Sequence, residues 1–133
     1  NPKKTKPILV INSDVLTKVD LRNLVEFHND NKSSITICCR ELETSLSYGI
    51  IKTKGSEVTE ILEKPVFKHN VNAGIYLINP EVIKFIPKNK FQNMTDIVSL
   101  AIQKNRKVKV FPIHEYWLDV GIPETFEKAN GEW

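Results

Sequence analysis

The chain has 133 residues, 41% hydrophobic and 26% charged, with a net charge of +3. That is long enough for a buried core and too apolar for a disordered segment. The mild positive charge is scattered, and its densest clusters, Lys3-Lys4-Lys6 and Lys104-Arg106-Lys107-Lys109, lack interleaved aromatics, which argues for a solvated face and against a nucleic-acid surface.

The sequence opens on Asn1-Pro2 without a methionine, as expected of a chain processed, trimmed or cut from something longer. No signal peptide is visible, and no apolar run approaches membrane-span length, so no membrane partner is expected. The run Ile8-Leu9-Val10-Ile11 predicts a strand buried on both faces, as in the centre of a parallel sheet. It ends abruptly in Asn12, Ser13 and Asp14. In open α/β sheets ligands lie beyond the carboxyl ends of strands. Asp14 therefore either starts a turn or meets a ligand or metal ion there.

Asp20 is the expected N-cap of a first helix, with Val19 and Leu24 spaced as a hydrophobic staple. Leu21, Leu24, Val25 and His28 follow helical spacing, and His28 reads as a boundary residue rather than a ligand. Asn29-Asp30-Asn31 stops the helix. Residues 34–40 alternate and are rich in β-branched side chains, predicting a strand and hence a right-handed crossover unit. Cys38 and Cys39 lie on it and would point to opposite faces, which fits reduced thiols in a cytoplasmic protein rather than a metal pair.

Residues 48–53 and 57–63 flank Lys54-Gly55-Ser56 as an antiparallel hairpin, ended by Pro65. Residues 71–78 predict another strand. Asn79-Pro80 then opens a short helix, with proline at its first position, and Pro87 closes it. Thr95 or Asp96 is expected to cap the next helix, with Ile97, Val98, Ala101 and Ile102 as its inner stripe and Asn105 at its end. Residues 108–113 predict a strand near a sheet edge, given Pro112. Pro123 opens a last helix, and Gly131 fits the position just past its end. No repeat or linker interrupts the chain, which reads as one α/β domain with a mixed sheet.

Trp117-Leu118-Asp119 repeats the design of the opening strand, placing a second carboxylate after apolar residues and beside a glycine. Two carboxylates that converge can hold magnesium, with water and phosphates completing the shell. In Glu63-Lys64-Pro65 an acceptor and a cation stand side by side, either as an exposed charge pair or as groups for sugar hydroxyls and a phosphate. Asn72-Ala73-Gly74 is either a β-bulge or a place where a ligand approaches the backbone closely.

These elements in this order resemble the carboxyl-terminal half of the sugar-phosphate nucleotidyltransferase domain, found in the nucleotide-sugar pyrophosphorylases. The matching residues are Ile11-Asn12-Ser13-Asp14, Tyr48-Gly49-Ile50-Ile51, Glu63-Lys64-Pro65, Asn72-Ala73-Gly74-Ile75-Tyr76, Met94-Thr95-Asp96 and Trp117-Leu118-Asp119-Val120-Gly121-Ile122-Pro123-Glu124. The resemblance implies a Rossmann-like mixed sheet flanked by helices. It also implies transfer of a nucleotidyl group from a nucleoside triphosphate to a sugar 1-phosphate, with release of pyrophosphate. Asp14 and Asp119 match the aspartates that bind the magnesium ion. Gly49, Glu63, Asn72 and Gly74 match residues lining the sugar, and Lys64 matches the lysine that reaches its phosphate. No protein nucleophile is implied; positioning and charge neutralisation carry the chemistry.

The sequence departs from the family pattern in three places. Ser13 stands where glycine is usual. The family's glycine-rich loop with its arginine, which cradles the triphosphate, has no counterpart in these residues, nor does its carboxyl-terminal β-helix. The chain is therefore expected to be the sugar-binding half of a nucleotidyltransferase domain, inactive by itself. Such a half predicts an apolar patch beside the first strand or an oligomer burying it. The alternatives are a non-catalytic sugar-phosphate binding module and a magnesium-dependent glycosyltransferase; the latter usually carries two acids where Asn12-Ser13-Asp14 supplies one.

Overall fold

The computed structural model describes residues 6–133, so Asn1, Pro2, Lys3 and Lys4 lie outside the described residues. The elements are β1 (Ile8–Ile11), β2 (Val15–Thr17), α1 (Leu21–Asp30), β3 (Ile35–Ser45), β4 (Ile50–Lys54), β5 (Glu57–Leu62), β6 (Val66–Ile78), α2 (Pro80–Ile83), α3 (Met94–Gln103), β7 (Val108–Pro112), β8 (Trp117–Asp119) and α4 (Pro123–Glu132). They form two compact units: residues 6–40 with 72–133, and residues 41–71.

A four-stranded sheet in the order β1-β6-β3-β7 carries the first unit, and a two-stranded ribbon pairs β2 with β8. β1 runs antiparallel to β6, from Ile8↔Ile78 to Ile11↔Ile75, and β3 runs parallel to β7. The amide of Asn79, just past β6, donates to the Ser34 carbonyl just before β3. The mixed α/β architecture expected from the sequence is thus present.

The core follows from strand alternation along the end of β6. Ala73, Ile75 and Leu77 join Leu24, Cys38 and Ile113 on one face, with Val15, Val19, Phe111 and Trp117 packed against them. Tyr76 and Ile78 join Ile35, Val82, Ile97 and Ala101 on the other. Helix α1 covers the first face; α2 and α3 cover the second. Cys38 is fully buried, which pushes its thiol up to about 12, so it stays protonated at neutral pH and is not a reactive thiolate.

Several expectations need correction. β1 is an edge strand of the sheet, not a central one, and Ile8, Leu9 and Ile11 are each about 40% exposed. Its neighbour is antiparallel, and only Val10 packs against the core. β6 begins at Val66, five residues before the expected start, because its exposed first half is held by strand pairing rather than by an apolar stripe. Asn93, not Thr95 or Asp96, caps α3; Asp96 reaches back to the Asn93 amide at 2.9 Å. Ile102 lies outside the buried stripe of that helix at 57% exposure. Gly131 lies inside α4, whose end is carried to Glu132 by a bond from the Trp133 amide to the Ala129 carbonyl. Trp133 is in turn held edge-on to Tyr116, with the Lys18 ammonium 4.8 Å from its ring centre.

His28 is not at a boundary but is 1% exposed in the core. Its Nε2 faces Asn79 Oδ1 at 3.1 Å, an atom that can only accept, so Nε2 carries the proton and Nδ1 accepts from the Thr36 hydroxyl at 2.8 Å. Asn79 Nδ2 donates to the Ser33 carbonyl at 2.7 Å. One amide thus ties the end of β6 to α1 and to the entry of β3. Basic residues of the second cluster are used too: Lys104 and Arg106 stand 5.2 and 5.0 Å from the Phe85 ring centre.

In the second unit β4 and β5 form the expected hairpin, with Ile51 opposite Ile61 and Gly55 turning at φ +60°. Lys68 bridges Glu41 and Glu43 at 3.2 and 3.4 Å. Lys64 adopts φ +41° directly before Pro65, a conformation that side chains and a following proline both disfavour.

Two substitutions test these features. Asn79→Ala orphans His28 Nε2 and the Ser33 carbonyl and is expected to cost about 1–3 kcal/mol in urea unfolding; an unchanged midpoint would show that the network carries no stability. Lys64→Gly relieves the left-handed backbone where Lys64→Ala does not, so the glycine variant should be the more stable by about 1 kcal/mol. Equal melting temperatures for the two would mean that Lys64 is unstrained in solution.

Candidate functional site

Asp14 lies in a tight turn between β1 and β2, closed by a bond from the Val15 amide to the Asn12 carbonyl at 3.3 Å. Asp119 ends β8. The ribbon register pairs Val15 with Asp119, and the Val120 amide donates to the Asp14 carbonyl at 2.8 Å. This pairing brings two distant sequence positions side by side.

The side chains converge as well. A Cβ added to Gly121 would lie 3.0 Å from Asp119 Oδ1 and 3.2 Å from Asp14 Oδ2. Both carboxylates therefore crowd one point, and the missing side chain leaves the space between them. The Gly121 amide donates to Asp119 Oδ1 at 2.9 Å, fixing that carboxylate. Two hard oxygen donors in such proximity suit a cation, since unscreened like charges repel. Among the described residues no group of three or more His, Cys, Asp or Glu side chains forms a metal cluster. A cation here would have two carboxylates, with other ligands drawn from water or substrate, which is how magnesium is commonly held.

The Asn72-Ala73-Gly74 segment packs close to the same turn. Gly74 adopts φ +71°, and its amide donates to Asn72 Oδ1 at 3.0 Å. Asn72 Nδ2 donates to the Tyr76 hydroxyl at 2.6 Å, and the Trp117 indole donates to the Ala73 carbonyl at 2.8 Å. The Asn12 amide in turn donates to the Gly74 carbonyl at 2.8 Å. The backbone is thus locked from three sides, and glycine is required at 74 by both its dihedral and its neighbours: a Cβ there would meet Asn12 Nδ2 at 2.7 Å and Val15 Cγ2 at 3.1 Å.

In the second unit Gly49 lies under the Glu63 carboxylate, whose Oε2 is 3.5 Å from the position of an added Cβ. Glu63 and Lys64 are both exposed. The first unit thus brings Asp14, Asp119, Asn72 and Gly74 into one neighbourhood, through the shared turn; the second brings Gly49 to Glu63. Sequence reasoning missed the parts played by Asn12, Tyr76, Trp117 and Gly121. The only signal for Gly121 was its place two residues after an aspartate, and nothing marked Trp117 as a donor to a backbone carbonyl.

No helix among the described residues is long and apolar enough to cross a membrane. The family profile described as nucleotidyl transferase matches residues 1–132. The mannose-1-phosphate guanyltransferase of Pichia angusta is 33% identical over 129 residues, a match covering 93% of this chain and 35% of that protein. The enzyme of the same name from Yarrowia lipolytica is 32% identical over 136 residues, again covering 93% of this chain and 35% of the relative. Among solved structures, HddC from Yersinia pseudotuberculosis superposes with a TM-score of 0.68 at 26% identity, covering 97% of this chain and 56% of that one. The chain spans about a third of the length of the curated relatives it matches. With its ordered motifs, its mixed α/β fold and a profile match over almost its whole length, the chain belongs to the nucleotidyl transferase family.

Proposed function

We propose that the chain forms the sugar-phosphate side of an enzyme that transfers a nucleotidyl group from a nucleoside triphosphate to a sugar 1-phosphate. A phosphate oxygen of the sugar 1-phosphate bonds to the α-phosphorus as the bond to the β-phosphate oxygen breaks, and pyrophosphate leaves. The observation that carries this reading is the convergence of Asp14 and Asp119 on Gly121. Magnesium held there would neutralise charge on the reacting phosphates. Asp14 and Asp119 would hold it, and the Gly121 amide fixes Asp119.

The other roles follow the family resemblance. Asn72 and Gly74, and in the second unit Gly49 and Glu63, serve the sugar; Lys64 serves its phosphate. The names of the relatives favour mannose 1-phosphate and GTP as the substrates. A cytoplasmic setting suits the buried, protonated Cys38 thiol. Self-association along the outer edge of β1 belongs to the same proposal, since Ile8, Leu9 and Ile11 are partly exposed on that strand.

The test is pyrophosphate release from GTP and mannose 1-phosphate by the full-length protein with magnesium. Release is expected, and Asp119→Asn should lower it by at least about a hundredfold, as loss of a group that stabilises developing charge commonly does. Residues 1–133 expressed alone should release none. Full activity in the Asp119→Asn protein would remove that residue from the site. Sugar-phosphate binding by the full-length protein without pyrophosphate release from any nucleoside triphosphate would favour a binding module instead.

A further inference from the structure

The two asparagines beside the carboxylate pair use their side chains differently. Asn72 spends half of its capacity inside the protein, accepting from the Gly74 amide and donating to the Tyr76 hydroxyl. Its amide is a brace for the Gly74 turn. Asn12 is the opposite case. Its backbone amide is bound to Gly74, but its side chain has no hydrogen-bond partner among the described residues. A primary amide offers two donors and two acceptor lone pairs, and at this exposed position all of them are left to solvent or a ligand.

That side chain is nonetheless held in place. Its Nδ2 and Cγ lie 2.7 and 3.0 Å from where a Cβ of residue 74 would be, so it fills the notch left by Gly74. The same four-residue turn, 12–15, carries Asp14, whose carboxylate lies against Gly121. A glycine at 74 is thus needed not only for its own dihedral but to admit an amide that bonds to nothing in the protein. Asn12 is exposed, so its amide faces solvent beside the carboxylate pair, packed against Gly74 and open to a ligand that replaces its water.

We propose that Asn12 is a ligand-contacting residue, whose side-chain amide hydrogen-bonds the sugar 1-phosphate beside the cation held by Asp14 and Asp119. Asn72, besides its proposed part in serving the sugar, shapes the Gly74 turn that seats Asn12. This rests on the proposed sugar-phosphate function and adds to it a contact that determines how the substrate is held.

The experiment is calorimetric titration of the full-length protein with mannose 1-phosphate in the presence of magnesium, repeated for Asn12→Ala, Asn12→Ser and Asp119→Asn. Manganese binding, read by electron paramagnetic resonance, is the control for the carboxylate pair. Asn12→Ala should weaken mannose 1-phosphate binding by about tenfold, the size of a lost hydrogen bond to a charged group, while manganese affinity and melting temperature stay within error of the wild type. Asn12→Ser, with one short hydroxyl, should fall between, and guards against a folding defect in the alanine variant. Wild-type affinity in Asn12→Ala would overturn the assignment and leave the proposed function standing. Equal loss of manganese and sugar-phosphate binding would overturn it too, showing that Asn12 acts only through Asp14. Wild-type protein that binds neither mannose 1-phosphate nor glucose 1-phosphate would overturn the proposed function, and the Asn12 contact with it.

Discussion

Two carboxylates share a small space only where the backbone gives way, and at Gly121 it does. Any larger residue there would put a Cβ about 3 Å from both Asp119 Oδ1 and Asp14 Oδ2. The β2–β8 ribbon exists at that spot because Val15 pairs with Asp119, and the pairing is anchored by Val120 on the Asp14 carbonyl. The rest of the first unit supports this meeting. Trp117, on the same ribbon, packs against the core and donates to Ala73, so the ribbon is tied to the last stretch of β6. Because Gly74 follows Ala73, the glycine that seats Asn12 and the glycine that separates the aspartates belong to one connected framework.

Rigidity of the framework comes from two unlike sources. Alternation on β6 sends Ala73, Ile75 and Leu77 into one layer and Tyr76 and Ile78 into the other, so one strand anchors both halves of the core. Beside it runs a polar network in which His28, Thr36, Asn79 and the Ser33 carbonyl satisfy one another. Buried polar groups cost stability unless paired, and these are paired at every side-chain nitrogen involved. Tyr76 links the two sources, since its ring is in the core and its hydroxyl accepts from Asn72.

Local chemistry made much of this legible in the sequence. Asp20 caps α1 with bonds to the Arg22 and Asn23 amides, the hairpin turns at Gly55, and Pro80 opens a helix at its first position. The two aspartates and the Asn72-Ala73-Gly74 turn were visible because abrupt polar endings on apolar runs are local signals. Features set by distant partners were not. Four apolar residues in a row read the same in a central strand as in an edge strand, so the place of β1 depended on β6, more than sixty residues away. His28 was misread because burial of a histidine depends on Thr36 and Asn79 being there to bond it. Gly131 was misplaced because ring contacts at Tyr116 and Trp133 extend a helix that glycine alone would end. Asn12 drew no attention as a ligand group because its surroundings are made by Gly74, which only the β1–β6 pairing brings near.

The central claim is that Asp14 and Asp119 hold one cation between them at Gly121. Paramagnetic broadening tests it most directly: add substoichiometric manganese to isotope-labelled protein and record which backbone amide signals vanish first. The account predicts early loss confined to residues 13–15 and 119–122, abolished in Asp14→Asn and restored to full intensity by excess magnesium. Broadening centred elsewhere, or none at manganese concentrations that saturate ordinary two-carboxylate sites, would contradict it.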